Sequence, residues 1–155
     1  MTKILMVCLG NICRSPLAEG ILRDKTSDLE HIEVDSAGTS SYHVGDAPDP
    51  RSIKTGRKYG INISDLRGRQ FVTEDFDRFD KIYVMDKSNL QNVLSLARNE
   101  SDKAKVDLLL NEWEVGKDLE VPDPYYGGDN GFDDVYNMLD KATDNILKKI
   151  NNGQL

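Results

Sequence analysis

The sequence is poor in cysteine and in positive charge, and each shortage excludes a class of protein. Its 155 residues include two cysteines, Cys8 and Cys13, which are too few for a disulfide framework and do not have the ligand spacing of a zinc site. Acidic residues outnumber basic ones by 27 to 20, so the net charge is −7. This balance argues against binding to nucleic acid or to an anionic membrane. The cysteine content fits a reducing cytoplasm, which is where we expect the protein.

The sequence also lacks long apolar runs. No segment approaches the roughly 18 apolar residues that a membrane span needs. The apolar run at residues 3–7 is too short for the core of a signal peptide, and Gly10 and Asn11 follow it closely, so we interpret it as a strand. The length fits a single domain over residues 1–155, large enough to bury about two thirds of its unfolded surface.

Strand-like and helical patterns alternate along the chain, which predicts βαβ units and a parallel sheet. We expect strands at residues 4–7, 32–36, 81–85 and 105–109. Helices are predicted directly after the first strand and at about 50–59, 88–97 and 131–150, the last with apolar residues at helical spacing. Long connections cover residues 38–49 and 110–126, and long loops in a compact domain are often functional.

The turn after the first strand has the residues of an anion site with a thiol at its base. It carries the segment Cys8-Leu9-Gly10-Asn11-Ile12-Cys13-Arg14-Ser15-Pro16. A strand that turns tightly into a helix leaves backbone N–H groups unpaired, and the helix N-terminus adds partial positive charge. Gly10 and Asn11 tolerate left-handed backbone angles, and Arg14 can pair two oxygens at once. The same positive field favours the thiolate of Cys8, the nucleophilic form.

Spacing alone does not establish this site. An Arg six positions after a Cys occurs by chance roughly one time in twenty, and most free cysteines are small buried apolar residues, which is the alternative for Cys8. The context favours the anion site, because a strand precedes the turn and Ser15 and Pro16 are residue types that open helices.

At this point the chain resembles the low-molecular-weight protein tyrosine phosphatases. Their signature combines Cys, five residues, Arg and Ser near the N-terminus with a later Asp-Pro-Tyr-Tyr, here Asp123 to Tyr126. The resemblance extends through Asp35-Ser36-Ala37-Gly38, Asp49-Pro50, Arg69-Gln70, Asp75-Phe76 and Met85-Asp86-Lys87-Ser88-Asn89. It implies a single-domain, three-layer α/β fold in which helices flank a central, mostly four-stranded parallel sheet. It also implies a phosphate-binding loop after the first strand, and neither a cofactor nor a metal.

The resemblance assigns the catalytic roles. Cys8 would attack phosphorus, Arg14 would hold the equatorial oxygens, and Asp123 would protonate the leaving phenolate and then activate water. For Asp123 the alternative is that Asp-Pro only forms a turn. The substrate phosphate would contact the loop residues Leu9, Gly10, Asn11, Ile12 and Cys13.

Further residues would support the loop or line its rim. Ser15 would donate to the Cys8 sulfur, with simple N-capping as the alternative. Asn11 would bond to Ser36, and Asp86 would support Arg14 unless it is only a helix N-terminal acid. The family often has a histidine in this network before Arg69; Leu66 or Asp65 stands there. His31 and His43 are interpreted as surface residues. Tyr42, Tyr125 and Tyr126 would form aromatic walls for a phenyl ring, or else merely cover the surface.

Several functions stay open beside tyrosine phosphatase. Arginine phosphatases of the family carry Thr where this chain has Ile12, which favours tyrosine. Thiol-coupled arsenate reductases use further cysteines downstream, and none follows Cys13. A non-catalytic phosphate-binding module would be expected to lose Cys8 or Asp123. The resemblance implies phosphotyrosine proteins as partners, a bacterial tyrosine autokinase among them, and phosphate or vanadate at the loop. It leaves export without a signal peptide open.

Overall fold

The computed structural model describes residues 1–126 and 130–155, without the side chains of Tyr126 and Asn130. Four parallel strands form one sheet in the order β2-β1-β3-β4. The strands are β1 Thr2–Cys8, β2 Ile32–Gly38, β3 Lys81–Val84 and β4 Val106–Leu108. The helices are α1 Arg14–Lys25, α2 Pro50–Lys58, α3 Asp75–Arg78, α4 Lys87–Leu94, α5 Glu100–Ala104 and α6 Asn130–Asn151, with 3₁₀ turns at Leu109–Glu112 and Pro124–Tyr126. The predicted parallel sheet flanked by helices is confirmed.

The central strand β1 divides the core into two layers because its side chains alternate between the faces of the sheet. Ile4 and Met6 pack in one apolar cluster with residues of α1 and α6. Leu5 and Val7 pack on the opposite face with a second cluster, which includes residues of α3 and α4. All four side chains have no exposed surface. Burying such a side chain contributes about 1.5–3 kcal/mol to the stability of the fold. Because apolar clusters cover both faces of β1, the sheet is the middle layer of a three-layer fold.

The long C-terminal helix follows its apolar pattern closely. Its buried face carries Val135, Leu139, Ala142, Ile146 and Ile150, at the spacing that keeps residues on one side of a helix. The prediction of a helix over about residues 131–150 is therefore confirmed, to within one residue at each end.

Other element boundaries differ from the prediction. The predicted helix 50–59 ends at Lys58, with Gly60 at a φ of 82° after it, the conformation that usually terminates helices. The predicted helix 88–97 is confined to Lys87–Leu94. Two short helices, α3 and α5, were not predicted, because four or five residues are too few to show a helical period.

The carboxyl ends of the parallel strands lie at one edge of the sheet, and the functional segments follow them. Cys8 ends β1, Gly38 ends β2, and Asp86 comes two residues after β3. The later loop returns to the same edge, where Val121 donates its N–H to the Met85 carbonyl over 2.8 Å. The sheet therefore brings together segments that are more than 100 residues apart. No helix within the described ranges is long and apolar enough to cross a membrane.

Candidate active site

The loop between β1 and α1 owes its curvature to Asn11. This residue has a φ of 57°, in the left-handed region that asparagine tolerates better than most residues. Gly10, which also tolerates this conformation, does not adopt it, because its φ is not positive. Glycine is required instead at Gly38, where an added Cβ would lie 2.8 Å from the Leu9 carbonyl oxygen. The end of β2 thus supports the loop through a close approach that only glycine allows.

Cys8 lies at the base of this loop, almost completely buried. Its Sγ lies 3.0 Å from the Ser15 Oγ and accepts a hydrogen bond of 3.3 Å from the Asn11 N–H. Within residues 1–126 and 130–155, four other N–H groups of the loop donate no hydrogen bond: those of Leu9, Gly10, Ile12 and Cys13. Unpaired N–H groups beside a helix N-terminus can bind an anion. The loop therefore has the donors needed to hold a phosphate above the sulfur.

Arg14 is held in place on two sides. Its Nη1 donates to the Asp86 Oδ2 over 2.7 Å and to the Val121 carbonyl over 2.9 Å. Burial lowers the pKa of the guanidinium, but the charge interaction with Cys8 and the bond to Asp86 outweigh that effect and raise the pKa above its ordinary value. The side chain therefore stays a fixed cation with Nη1 occupied by protein groups.

Both interpretations of Asp86 hold at once. One oxygen binds Arg14, while the other, Oδ1, accepts a hydrogen bond of 2.8 Å from the Asn89 N–H and so caps α4. A carboxylate can do this because each of its oxygens is an acceptor. The N-terminus of α4 therefore holds Asp86 in place, and Asp86 in turn holds Arg14.

A chain of buried hydrogen bonds supports the loop from behind. The Asn11 Nδ2 donates to Ser15 over 2.7 Å and to Ser36 over 3.0 Å. The Ser36 hydroxyl in turn donates to Glu19 over 2.6 Å, and Glu19 pairs with Arg23 on the next turn of α1. The Asn11 Oδ1 accepts from the Arg69 backbone N–H over 3.0 Å. Every polar group of the Asn11 side chain is therefore engaged, which holds its unusual backbone conformation.

Ser15 does not cap the helix. Helix α1 begins at Arg14 with Cys13 at the N-cap position and no side-chain cap, so the capping alternative for Ser15 is wrong. Its hydroxyl bonds to Asn11 and contacts the Cys8 sulfur. Ser15 makes these contacts from within the first turn of α1, one residue past the helix start.

A cavity of about 220 Å³ opens above the Cys8 sulfur. It is lined by Cys8, Leu9, Gly10, Ile12, Cys13, Arg14, Ser40, Tyr42, His43, Asp123 and Tyr125. Asp123 reaches it although it lies far away in sequence. The Asp123 Oδ1 accepts a hydrogen bond of 3.0 Å from the Tyr125 N–H, and Oδ2 lies 3.8 Å from an Arg14 nitrogen. Asp123 thus makes the expected local turn and also places a carboxyl in the cavity.

The cavity rim is aromatic and open to solvent. Tyr42 is 90% exposed and Tyr125 is 42% exposed, and both line the cavity. The side chain of Tyr126, the third predicted wall residue, lies outside the described part of the chain. His43, interpreted from sequence as a plain surface residue, also lines the cavity, and its Nδ1 lies 3.0 Å from the Asp46 Oδ2.

The chain matches known proteins over nearly its whole length. The family model for low molecular weight phosphotyrosine protein phosphatase matches residues 3–154. The chain belongs to this family. A putative low molecular weight protein-tyrosine-phosphatase of Synechocystis is 46% identical over 96% of each chain. The crystal structure of a protein tyrosine phosphatase from Entamoeba histolytica, with Hepes in the active site, covers 100% of each chain with a TM-score of 0.92 and 40% identity.

Another solved structure bears on specificity within the low molecular weight phosphatases. A Drosophila arginine phosphatase matches 96% of this chain and 98% of its own, with a TM-score of 0.88 and 33% identity. The fold therefore includes proteins described as tyrosine and as arginine phosphatases, and the residues lining the cavity must decide between them.

Glu19 is the site residue of this phosphatase that sequence reasoning missed. It lies on the helix that follows the loop, is 2% exposed and ends the chain of bonds from Asn11 through Ser36. An acid four positions after Ser15 lies on the same side of a helix, which is the signal that could have identified it.

The burial of Glu19 predicts a pH-dependent stability for the phosphatase. Burial raises the pKa of Glu19 more than the bonds from Ser36 and Arg23 lower it. A carboxyl with a raised pKa contributes most to the free energy of unfolding below its ordinary value of 4.5, and the contribution falls as pH rises through the folded value. Glutamine cannot ionise. We therefore expect the Tm of the wild type minus that of Glu19→Gln to fall as the pH rises from below 4.5 through the raised folded value.

Thermal unfolding of the wild type and the variant across this pH range measures the difference. Glu30→Gln, which changes an exposed glutamate, serves as the comparison for losing a carboxyl at the surface. A difference that rises with pH would show that the Arg23 pair outweighs the burial of Glu19.

Proposed function

We propose that this phosphatase hydrolyses phosphotyrosine in proteins through a phosphocysteine on Cys8. The observation that carries the proposal is the convergence of three groups on one cavity, namely the Cys8 sulfur, the Arg14 guanidinium and the Asp123 carboxyl. A nucleophile, a cation for the equatorial oxygens and a carboxyl are what phosphoryl transfer to a thiolate requires.

In the first step the Cys8 thiolate attacks phosphorus in line with the phenolic oxygen. The sulfur–phosphorus bond forms as the bond from phosphorus to oxygen breaks, and Asp123 gives its proton to the departing phenolate. The loop N–H groups and Arg14 bind the three equatorial oxygens throughout. Because Asp86 and Val121 hold Nη1 of Arg14, the rest of the guanidinium is pre-oriented for the phosphate.

In the second step water attacks the phosphocysteine. The Asp123 carboxylate takes a proton from that water, inorganic phosphate forms, and the thiolate of Cys8 leaves. The Ser15 hydroxyl, 3.0 Å from the sulfur, can donate a hydrogen bond to the leaving thiolate and so stabilise its charge. Asp123 thus gives up a proton as an acid in the first step and takes one as a base in the second.

The shape of the cavity favours tyrosine over serine and arginine. Tyr42 and Tyr125 border it, and flat aromatic walls suit a phenyl ring. A phosphoserine is too short to bring its phosphorus to a sulfur at the base. Ile12 lines the cavity at the loop position that carries Thr in arginine phosphatases, so the apolar side chain supports the tyrosine assignment. A tyrosine autokinase is one candidate among the phosphotyrosine proteins.

Hydrolysis of a panel of phosphopeptides tests this proposal. We expect vanadate-sensitive turnover of p-nitrophenyl phosphate and of phosphotyrosine peptides, with far slower release of phosphate from phosphoserine and phosphoarginine. Preferential turnover of phosphoarginine would show that the protein is an arginine phosphatase and not a tyrosine phosphatase. Vanadate binding without any turnover would indicate a phosphate-binding module instead.

Asp123→Asn tests the general acid. The amide cannot give up a proton, so we expect turnover of phenyl phosphate, with its poor leaving group, to fall by about 10²–10⁴-fold. Formation of the phosphoenzyme from p-nitrophenyl phosphate should fall much less, because p-nitrophenolate leaves without protonation. The exposed Asp134 provides the matched control Asp134→Asn. An equal loss for both leaving groups would indicate that Asp123 only shapes the turn.

Cys13 provides a test of redox protection. Burial, followed by the charge of Asp49, raises the pKa of Cys13, so it stays a thiol. Peroxide would then oxidise Cys8 to a sulfenic acid, which condenses with the Cys13 thiol to a disulfide and water. We expect Cys13→Ser to keep much of its activity in reducing buffer but, after peroxide, to recover far less on adding dithiothreitol. Equal recovery, or no Cys8–Cys13 peptide by mass spectrometry, would leave Cys13 as a packing residue.

A further inference from the structure

Helix α2 concentrates positive charge in an acidic protein. It contains Arg51, Lys54, Arg57 and Lys58 and no acidic residue, although the whole chain carries a net charge of −7. Arg51, Lys54 and Lys58 are spaced three and then four residues apart, which places them along one side of the helix. A surface of this sign on an acidic protein selects for acidic partners.

These three cations border a groove beside α6, which we call the α2 groove. It is lined by Arg51, Lys54, Thr55, Lys58, Phe132 and Asp133 and has a volume of about 480 Å³, larger than the cavity above Cys8. Phe132 is buried and gives it an apolar wall. A groove with an apolar wall and cations along its edge fits the methylene groups and the carboxylate of a glutamate or aspartate.

The charges within the α2 groove do not cancel. Lys58 pairs with Asp133 over 3.1 Å, and Arg51 pairs with Asp49, which is buried beside it. In the part of the chain that the structure describes, Lys54 makes no ion pair, although it is exposed. Of the three cations along the groove, Lys54 is therefore the one whose charge is available to a partner.

Arg51 connects the α2 groove to the catalytic cavity. Its guanidinium carbon lies 4.9 Å from the centre of the Phe132 ring in the groove and 5.3 Å from that of Tyr125 at the cavity rim. Its Nη atoms also donate to the Tyr125 carbonyl over 3.4 Å. A peptide whose phosphotyrosine occupies the cavity needs only a few residues, at about 3.3 Å each, to pass Arg51 and reach Lys54.

We propose that the α2 groove binds acidic side chains that flank the phosphotyrosine of the substrate protein, with Lys54 as the main contact. This inference rests on the proposed phosphotyrosine activity and names the substrate class within it, namely phosphotyrosine in an acidic sequence. Lys54 contributes to the binding of the flanking residues and does not touch the reacting atoms.

The test compares phosphotyrosine peptides that carry glutamate or alanine on either side of the tyrosine. Exposed ion pairs are individually weak, so we expect kcat/KM to be about three- to tenfold higher for the acidic peptide on the favoured side, through KM. The preference should decline as salt is raised. Lys54→Glu should abolish or reverse it while turnover of p-nitrophenyl phosphate, which has no flanking residues, stays at the wild-type level. Lys148→Glu, at an exposed lysine about 24 Å further along α6 than Phe132, is the matched control.

Equal kcat/KM for all peptides in the wild type, or a preference that Lys54→Glu leaves intact, would overturn the inference and leave the phosphatase activity standing. If instead Lys54→Glu changed the oligomeric state without affecting peptide preference, the groove would be a contact between copies of this chain and the inference would be wrong. Failure of the wild type to hydrolyse any phosphotyrosine substrate would contradict the proposed function itself.

Discussion

Cys8→Ser should lower turnover by more than about 10⁴-fold while leaving the binding of inorganic phosphate largely intact. A serine hydroxyl is not ionised at neutral pH, and the groups that contact the Cys8 sulfur, the Ser15 hydroxyl and the Asn11 N–H, are not bases that could activate it. The phosphate site is made by backbone N–H groups and Arg14, and neither depends on the sulfur. The loss of turnover is measured with p-nitrophenyl phosphate, and the binding of inorganic phosphate is measured by calorimetry.

Cys13→Ser is the matched control, since it makes the same chemical change in the same loop without removing the proposed nucleophile. It should keep most of its activity under reducing conditions. Hydrolysis by Cys8→Ser at a rate near that of the wild type would refute the assignment of Cys8. Loss of phosphate binding together with turnover would show that the sulfur also maintains the loop.

Arg14→Lys should be almost as inactive as Arg14→Ala. Lysine keeps the charge but cannot bind Asp86 and the Val121 carbonyl on one side while presenting two parallel N–H groups to a phosphate on the other. Because each lost donor to the transition state costs about 10²–10³-fold in kcat, we expect both variants to lose at least that much. Steady-state kinetics on p-nitrophenyl phosphate measures the loss.

The Arg14 variants need a separate check on folding, because removing one partner of a buried ion pair costs about 3–5 kcal/mol. Thermal unfolding separates that effect from catalysis, and Arg57→Lys, at an exposed arginine of α2, controls for the substitution. Retention of most activity by a folded Arg14→Lys would show that the fork geometry of Arg14 is not needed.

The sequence predicted best where the physics is local and periodic. The apolar period of α6 and the short apolar run of β1 each reflect burial of one or two faces, so the elements could be recognised without the fold. The anion-binding loop was recognisable for a similar reason, because a strand, a turn and a helix start follow one another directly in the chain.

The network behind the loop could not be predicted in the same way. Ser36 lies 25 residues from Asn11 in sequence, and only the register that pairs Met6 of β1 with Ser36 of β2 brings it behind the loop. Ser36 was named only through the family resemblance. Glu19 was not predicted because a glutamate is rarely buried in a folded protein, and its spacing of four residues from Ser15 becomes informative only once Ser15 is known to face the loop.

The alternative role of Ser15 as a helix cap is wrong for a related reason. A serine before a helical pattern usually caps the helix. Here the Ser15 hydroxyl instead contacts the Cys8 sulfur and accepts a hydrogen bond from Asn11, two groups that the curved loop brings close to it. The cytoplasmic location, the boundaries of a single domain at 1–155 and a tyrosine autokinase as substrate stay predictions.

Trapping the covalent intermediate tests the central claim most directly. Asp123→Ala mixed rapidly with p-nitrophenyl phosphate should release p-nitrophenolate in a burst equal to the enzyme concentration and then turn over slowly, because the variant lacks the base that activates water. Peptide mass spectrometry of the quenched protein should place the phosphate on Cys8. Phosphate on another residue, or inorganic phosphate released with neither a burst nor a phosphoenzyme, would contradict the mechanism.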